Sequence, residues 1–263
     1  MKLRISAHLC GWPKEVVANR RKVMEIVHDA GYEGVEGFEV KNAEELVELG
    51  ALAAEYGLHL VNVHAADPLL KAKFNATLGN DAAEVPAVWK RDGKIDPSDA
   101  ELDQIAVTMG AHIKTFTKYG IKPFHHIHVN TLLETVDDCA RTLKHIPGLW
   151  LLYDTGHLLA SNCNPMDVLK RWPGQIAHVH LKNYWKQNPA VKLDPHSPDF
   201  YSWKTSRFCD LAEGNTGLDV KAVLDGLVAI KFAGWVALEE DHPKRDIAAV
   251  VRDNRAFLRN LGY

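Results

Sequence analysis

Residues 149–157, Leu-Trp-Leu-Leu-Tyr-Asp-Thr-Gly-His, decide the fold class because an apolar run ends abruptly in polar residues. The run from Leu149 to Tyr153 is rich in aliphatic and aromatic side chains and follows a Pro-Gly pair, so it predicts a buried strand. Asp154 and His157 then stand at the carboxyl end of that strand. Carboxylates and imidazoles in this position are typical of the functional edge of a parallel sheet.

Three other segments repeat this arrangement of an apolar run followed by polar residues. They are His126-Ile127-His128, His178-Val179-His180-Leu181-Lys182 and Glu239-Glu240-Asp241. Asp154 follows His126 by 28 residues, and His180 follows Asp154 by 26, close to the roughly 30 residues of one strand-helix-strand unit. We therefore expect neighbouring strands to present these side chains side by side.

Strand and helix patterns alternate over the whole of residues 1–263 without a linker, which predicts a single domain. The predicted strands are 3–10, 34–40, 58–65, 82–89, 121–128, 149–154, 176–182 and 234–240. The predicted helices are 16–30, 43–56, 68–78, 99–119, 132–145, 166–172, 220–230 and 245–261. Eight such units in this length predict an α/β fold, a (β/α)₈ TIM barrel with its active site at the C-terminal ends of the strands.

Composition and charge exclude several classes of partner. The 31 basic and 34 acidic residues give a net charge of −3 without a basic run, so a nucleic acid is not expected as a partner. No uncharged apolar run approaches the roughly 20 residues of a membrane span. The four widely spaced cysteines form no C-x-x-C pair, which favours a reducing, cytoplasmic location. A homo-oligomer is compatible with the sequence, which does not give the oligomeric state.

The four strand ends combine imidazoles with carboxylates, and side-chain alternation places them on one face of each strand. This donor set suits Mn²⁺, Co²⁺, Zn²⁺ or Fe²⁺ and argues against Ca²⁺ and Mg²⁺, which prefer oxygen ligands. We predict one divalent metal ion held by His126, Asp154, His180 and Glu239. The alternative is that these residues bind substrate directly without a metal, or that one or two of them are buried structural groups.

Several other polar residues have weaker patterns. Glu36 ends the second strand and is predicted either to bind substrate, to act as a base or to cap a loop. His8 and His64 are expected to be hydrogen-bonded polar residues rather than ligands. The stretch 183–213 contains Trp185, Phe200, Tyr201, Trp203 and Phe208, and such a long aromatic segment predicts a lid or a specificity element.

The segments 151–157, 176–183 and 235–241 resemble the xylose isomerase-like barrel superfamily, which includes sugar epimerases, sugar isomerases, inosose dehydratase and apurinic-site endonucleases. The resemblance extends from Ile121 to Asp241 and also covers Gly31 to Glu36. Where the epimerases carry a metal-binding glutamate, this chain has His126. The run of histidines before Thr131 is most similar to inosose dehydratase. At the position after Lys182, this chain has Asn183 instead of the usual aspartate.

This resemblance implies the same four metal ligands and assigns His157 and Lys182 to substrate contact. Strand alternation adds Asp241 as a predicted substrate-binding residue, and Glu36 is a further candidate. Ketose epimerisation needs a base on each face of one carbon, and a metal-bound histidine cannot readily accept a proton. The expected function is therefore a metal-dependent lyase that removes water from a keto-polyol. Glu239 or His128 would be the base, and His157 or Lys182 the acid.

Three other functions are alternatives to the lyase. A sugar or sugar-phosphate isomerase or epimerase is the main alternative, since that is the general activity of the superfamily. An apurinic-site endonuclease and a sugar-binding barrel with a decayed site are more remote. The expected substrate is a small sugar or cyclitol.

Overall fold

Eight parallel strands form one sheet in the computed structural model, which describes residues 2–90, 96–197, 200, 204–241 and 243–263. The sheet order is β3-β2-β1-β10-β7-β6-β5-β4. Its strands are β1 (Arg4–His8), β2 (Gly34–Glu36), β3 (His59–Val61), β4 (Ala82–Glu84), β5 (Lys122–His126), β6 (Trp150–Asp154), β7 (Ile176–Leu181) and β10 (Trp235–Leu238). A separate antiparallel pair consists of β8 (Asn183–Lys186) and β9 (Ser206–Cys209).

Helices follow the strands of the sheet and surround it. They are α1 (Lys14–Ala18), α2 (Arg20–Ala30), α3 (Ala43–Glu55), α4 (Pro68–Thr77), α5 (Asp99–Lys118), α6 (Val136–His145), α7 (Thr155–Ala160), α8 (Pro165–Arg171), α9 (Val220–Ala229) and α10 (Ile247–Asn260). The prediction of a single (β/α)₈ barrel is confirmed. No described helix combines the length and the apolar composition needed to cross a bilayer.

The first and last strands in the sheet order, β3 and β4, are joined through asparagine side chains. Asn80 Nδ2 donates to the Leu60 carbonyl over 3.0 Å, and the Glu84 amide donates to Asn62 Oδ1 over 3.1 Å. Asn62 adopts a positive φ of 42°, a conformation that asparagine tolerates better than most residues. Side chains therefore supply hydrogen bonds at this seam of the barrel.

Some predicted boundaries were wrong because of local side-chain caps or a proline. The predicted helix 16–30 is two helices, because the Asn19 side chain accepts from the Lys22 amide and starts α2 afresh. The predicted helix 132–145 begins only at Val136, since Thr135 and Asp138 form a capping box. The fourth strand stops at Glu84, before Pro86, which has no amide hydrogen for a strand ladder.

Two elements were not predicted. Residues 155–160 form helix α7 directly after β6, and the long aromatic segment forms the β8–β9 hairpin. Within that segment, Tyr201 and Trp203 lie outside the described residues, whereas Phe200 and Phe208 are buried against Tyr184. The hairpin therefore packs beside the carboxyl ends of the strands.

The barrel interior changes from apolar to polar toward those ends. Phe124 and Leu152 are buried on β5 and β6, and the Phe124 ring stacks on His178 with ring centroids 5.2 Å apart. The next inward-facing positions are His126, Asp154 and His180. An apolar layer therefore closes the bottom of the polar site.

Candidate active site

Parallel pairing brings the polar strand ends into contact. Asp154 lies opposite His180 in the β6–β7 register, and His180 lies opposite Ala237 on β10, two residues before Glu239. Side chains at these positions face the barrel interior, as the alternation predicts. One ligand atom each from His126, Asp154 and His180 lies within 4.8 Å of the others.

The fourth predicted ligand, Glu239, joins this group through His180. Oε2 of Glu239 lies 2.6 Å from Nδ1 of His180, yet their arrangement is not that of a hydrogen bond. Neither atom has a hydrogen-bond partner among the described residues, although both are buried. Buried polar atoms without hydrogen-bond partners are costly, and a divalent cation bound to both atoms would satisfy them. The pair therefore fits a divalent metal ion.

Asp154 is oriented by the helix that follows it. Its Oδ1 accepts the His157 amide at 2.8 Å and caps α7. The other oxygen, Oδ2, lies 3.1 Å from Nε2 of His126 and 3.8 Å from Nδ1 of His180. The cap therefore leaves one carboxylate oxygen for the site, which explains the position of the Asp-Thr-Gly-His segment.

Lys182 is fully buried among three carboxylates. Its Nζ lies 3.4 Å from Asp154 Oδ2, 3.2 Å from Glu239 Oε1 and 3.1 Å from Asp241 Oδ2. Gly156 makes room for it, because a Cβ at that position would lie 2.2 Å from Lys182 Cγ. The ammonium group therefore offsets much of the negative charge of the site.

Two imidazoles lie beside the lysine. Nε2 of His157 is 3.2 Å from Lys182 Nζ, and the His157 and His128 ring centroids are 3.6 Å apart. Nδ1 of His128 lies 2.6 Å from the Val129 carbonyl, which fits Nδ1 as the protonated nitrogen and leaves Nε2 with a lone pair. Phe208 of the hairpin covers Lys182 at 4.5 Å.

Burial and neighbouring charges shift the pKa values of the site. Burial lowers the pKa of His128 to about 3, with the nearby His126 acting in the same direction, and lowers the pKa of His157 well below its usual range. Burial opposes charge on Lys182 as well, but Asp154 and the other carboxylates hold its pKa well above the usual value. The imidazoles beside Lys182 are therefore neutral, while Lys182 keeps its proton.

Asp241 differs from the other carboxylates of the site. Burial raises its pKa to about 7, and the neighbouring Glu239 adds to the rise, although Lys182 lies close. Asp241 lies at the rim, with 13% of its side chain exposed, where the predicted role of contacting substrate remains feasible.

Glu36 is placed differently from a typical substrate contact. It is fully buried, and its oxygens lie 2.7 Å from His178 Nε2, 2.8 Å from Asn62 Nδ2 and 3.4 Å from His180 Nε2. Burial acts to raise the pKa of Glu36, but His178 and His180 hold it well below its usual value. The carboxylate thus lies behind His180, on the side away from Glu239.

His8, which the sequence predicted to be a hydrogen-bonded polar residue rather than a ligand, lies beside the candidate ligands. It can join Glu36 and His180, or Cys10 and Glu239, in groups whose ligand atoms lie within 4.8 Å of one another. Its Nδ1 accepts the Cys10 amide at 3.0 Å and lies 3.9 Å from Glu239 Oε1. Its position at the end of β1 was the available signal, but only the pairing of β1 with β10 puts it beside Glu239.

Asn183, which departs from the aspartate of the similar sequences, has a structural role. Its Nδ2 donates to the Leu211 carbonyl over 2.9 Å, and its Oδ1 accepts the Tyr184 amide over 2.8 Å. Gly214 packs against this side chain so closely that a Cβ there would lie 1.9 Å from Asn183 Cγ. The asparagine therefore anchors the start of the β8–β9 hairpin.

Comparison with known proteins identifies the family. The pattern of the xylose isomerase-like TIM barrel family matches residues 24–261. The chain belongs to this family. Within it, the chain is 29% identical over 147 residues to an inosose dehydratase of Lactiplantibacillus plantarum, a match that covers 55% of this chain and 48% of that protein. The chain thus spans about half the length of the curated relatives it matches.

Solved structures share the fold of this xylose isomerase-like chain. An L-ribulose 3-epimerase superposes with a TM-score of 0.72 at 16% identity over 99% of this chain and 94% of that one. A xylose isomerase-like protein from Mycobacterium smegmatis, in complex with magnesium, gives a TM-score of 0.71 at 14% identity over 99% of this chain and 96% of its own. The resemblance to the xylose isomerase-like superfamily is confirmed.

Proposed function

We propose that the protein is a divalent-metal-dependent lyase that removes water from a keto-polyol such as an inosose. The observation that carries the proposal is the position of two neutral imidazoles, His128 and His157, beside the protonated Lys182. A proton acceptor and a proton donor on one side of the site suit elimination, which needs both. The similarity to inosose dehydratases supports the same reaction class.

His126, Asp154, His180 and Glu239 would hold the metal ion. When bound, such an ion would polarise the substrate carbonyl and so acidify the neighbouring carbon. The magnesium complex of the Mycobacterium smegmatis protein is compatible with a divalent ion in this family, although the imidazole-rich donor set here favours Mn²⁺, Co²⁺, Zn²⁺ or Fe²⁺.

Different residues of the chain would accept and donate the two protons of the reaction. Because Glu239 is assigned to the metal ion and its Oε1 lies 3.2 Å from Lys182 Nζ, we assign the base to His128, whose Nε2 carries a lone pair. The C–H bond next to the carbonyl breaks and its proton goes to His128, while the electron pair forms the new double bond. At the same time the C–O bond at the next carbon breaks, and the departing hydroxyl takes a proton from Lys182, with His157 positioned beside that ammonium.

An isomerase or epimerase is the second candidate function. It is favoured by Glu239 and Asp154, two carboxylates facing one site, since epimerisation requires a proton acceptor on each face of one carbon. It is less favoured here because Lys182 forms ion pairs with both of them, at 3.4 and 3.2 Å.

The test is an assay of the purified, metal-loaded protein with inososes and 3-keto sugars in deuterium oxide. We expect release of water with formation of an unsaturated ketone, which absorbs in the ultraviolet. Deuterium incorporation next to the carbonyl without loss of water would favour the epimerase instead. Metal analysis of the same sample should give about one ion per chain, and no bound ion would contradict the metal site.

A further inference from the structure

A second polar cluster lies beyond Glu36, at the carboxyl ends of β3 and β4. It consists of His64, Lys71 and Glu84, and these three side chains line a cavity of about 260 Å³. None of the three has a role in the reaction proposed above. We refer to them as the β3–β4 polar pocket.

Lys71 is the central residue of this pocket. Its side chain is 9% exposed, and its Nζ lies 3.3 Å from His64 Nδ1 and 4.0 Å from Glu84 Oε2. An ammonium group has three N–H donors. Among the described residues only His64 accepts one of them within hydrogen-bond distance, so further donors are free to bind a ligand in the cavity. A buried donor of this kind is costly without a partner.

The charges of the pocket argue against an anionic ligand. Lys71 is the positive group, whereas Glu84 and the fully buried Glu36 both contribute negative charge to its surroundings. A phosphate or carboxylate in the cavity would therefore face the acidic side chain of Glu84 as well as the ammonium group, with Glu36 buried nearby. Neutral hydroxyl groups can instead donate to Glu84 and accept from Lys71 at the same time.

Hydrogen bonds connect the pocket to the candidate metal centre. The Glu84 amide donates to Asn62 Oδ1, Asn62 Nδ2 donates to Glu36 Oε1, and Glu36 lies 3.4 Å from the predicted ligand His180. The pocket is therefore held in a fixed relation to the metal ligands by buried side chains. This rigidity is what a specificity subsite requires.

We propose that the β3–β4 polar pocket binds adjacent hydroxyl groups at the end of the substrate remote from the reacting carbons. Lys71 donates to one hydroxyl oxygen, and Glu84 accepts from the neighbouring hydroxyl. This inference rests on the proposed function and narrows the substrate class to neutral polyols that are not phosphorylated at this end. Lys71 and Glu84 are then specificity residues.

Binding of myo-inositol, a neutral polyol without a carbonyl, tests the pocket by calorimetry on the metal-loaded protein. We expect Lys71→Met to weaken binding at least 10-fold, because the charged donor to one hydroxyl oxygen is lost. Lys73→Met is the matched control, since Lys73 is exposed on the same helix, and it should leave binding unchanged. Because myo-inositol has no carbonyl and cannot lose water by this route, its binding can be measured even if the protein is not a lyase.

Glu84→Gln keeps the shape of the side chain and provides a second test of the pocket if Lys71→Met does not fold. It should weaken myo-inositol binding several-fold. Cyclohexane-1,2-diol, which lacks the remote hydroxyls, should bind the wild type weakly and both variants equally. Equal binding of myo-inositol to the wild type and the folded variants would overturn the proposal. So would no binding to the wild type, or tighter, Lys71-dependent binding of the ring carboxylate quinate.

Discussion

Individual residues in this site carry roles that depend on which atom faces which neighbour. His180 directs Nδ1 toward Glu239 and Nε2 toward Glu36, at 2.6 and 3.4 Å respectively. A carboxylate behind a metal-binding imidazole fixes its tautomer and ring orientation. Glu36 thus has the geometry of a positioning residue, whereas the sequence predicted substrate contact.

Replacing Glu36 with Gln tests these two roles. If Glu36 orients His180, Glu36→Gln should weaken metal binding about 10- to 100-fold, because such outer carboxylates support the ligand. Calorimetric titration of the metal-free protein with Mn²⁺ measures the affinity. Glu39→Gln is the control, since Glu39 is exposed in the segment after β2. Unchanged metal affinity with a raised KM would instead indicate substrate contact.

His126 is the residue on which the choice between lyase and epimerase depends. Because a carboxylate can accept a carbon-bound proton more readily than a metal-bound imidazole, His126→Glu should lower water loss at least 10-fold and increase deuterium exchange without water loss. Product analysis by mass spectrometry in deuterium oxide measures both. His28→Glu, on the exposed face of α2, should change neither. Unaltered water loss in His126→Glu would contradict the assignment.

Among the secondary-structure elements, the seam between β3 and β4 depends most clearly on side chains. Asn80 donates to the Leu60 carbonyl and to Asn75 Oδ1, each at 3.0 Å, and its Oδ1 lies 2.8 Å from His59 Nε2. Elsewhere around the sheet, backbone ladders supply the corresponding bonds. One asparagine therefore bonds to residues on β3 and at the end of α4.

Asn80→Ala should lower the free energy of unfolding by about 1–3 kcal/mol, because it leaves buried polar groups without partners. Urea unfolding followed by circular dichroism measures the change. Asn260→Ala is the control, since Asn260 is exposed at the end of α10, and its effect should stay within about 0.5 kcal/mol. A loss for Asn80→Ala no larger than that of the control would show that the seam does not need this side chain.

At the scale of the whole molecule, burying many imidazoles makes stability depend on pH. Burial lowers the pKa of His64 to about 3, with the neighbouring Lys71 as the next cause, against an ordinary value of 6.5. The unfolded chain therefore takes up a proton at this residue before the folded protein does. The stability contributed by neutral His64 is complete above about pH 6.5 and is lost as the pH falls toward 3.

His64→Gln removes this histidine, so unfolding of the variant should be coupled to the uptake of one fewer proton. Between pH 6 and 4 the unfolding free energy of the wild type should fall more steeply than that of the variant, by up to about 1.4 kcal/mol per pH unit. Urea unfolding in the presence of a chelator, at several pH values, measures the two slopes. Parallel slopes would indicate that His64 is protonated in the folded protein at these pH values.

Local sequence determined the strand ends and the residue types of the site. Alternation along each strand fixed which side chains share a face, and the roughly 30-residue spacing placed His126, Asp154 and His180 on neighbouring strands. These features depend on a few residues of one segment, so they could be read without the fold. The short helix after Asp154 and the break at Asn19 were not predicted, because side-chain caps outweigh periodicity at both places.

Only the tertiary structure decided the surroundings of those residues. Closure of the sheet through β1, β2 and β10 brings Glu36 and His8 to His180, across more than 140 residues of chain for Glu36. The β3–β4 polar pocket likewise joins a strand end to a lysine on α4. Periodicity in the sequence describes only which side chains share a face of one element. A buried charge needs a partner, and that partner comes from an element distant in the sequence, so only the packing of the elements decides it.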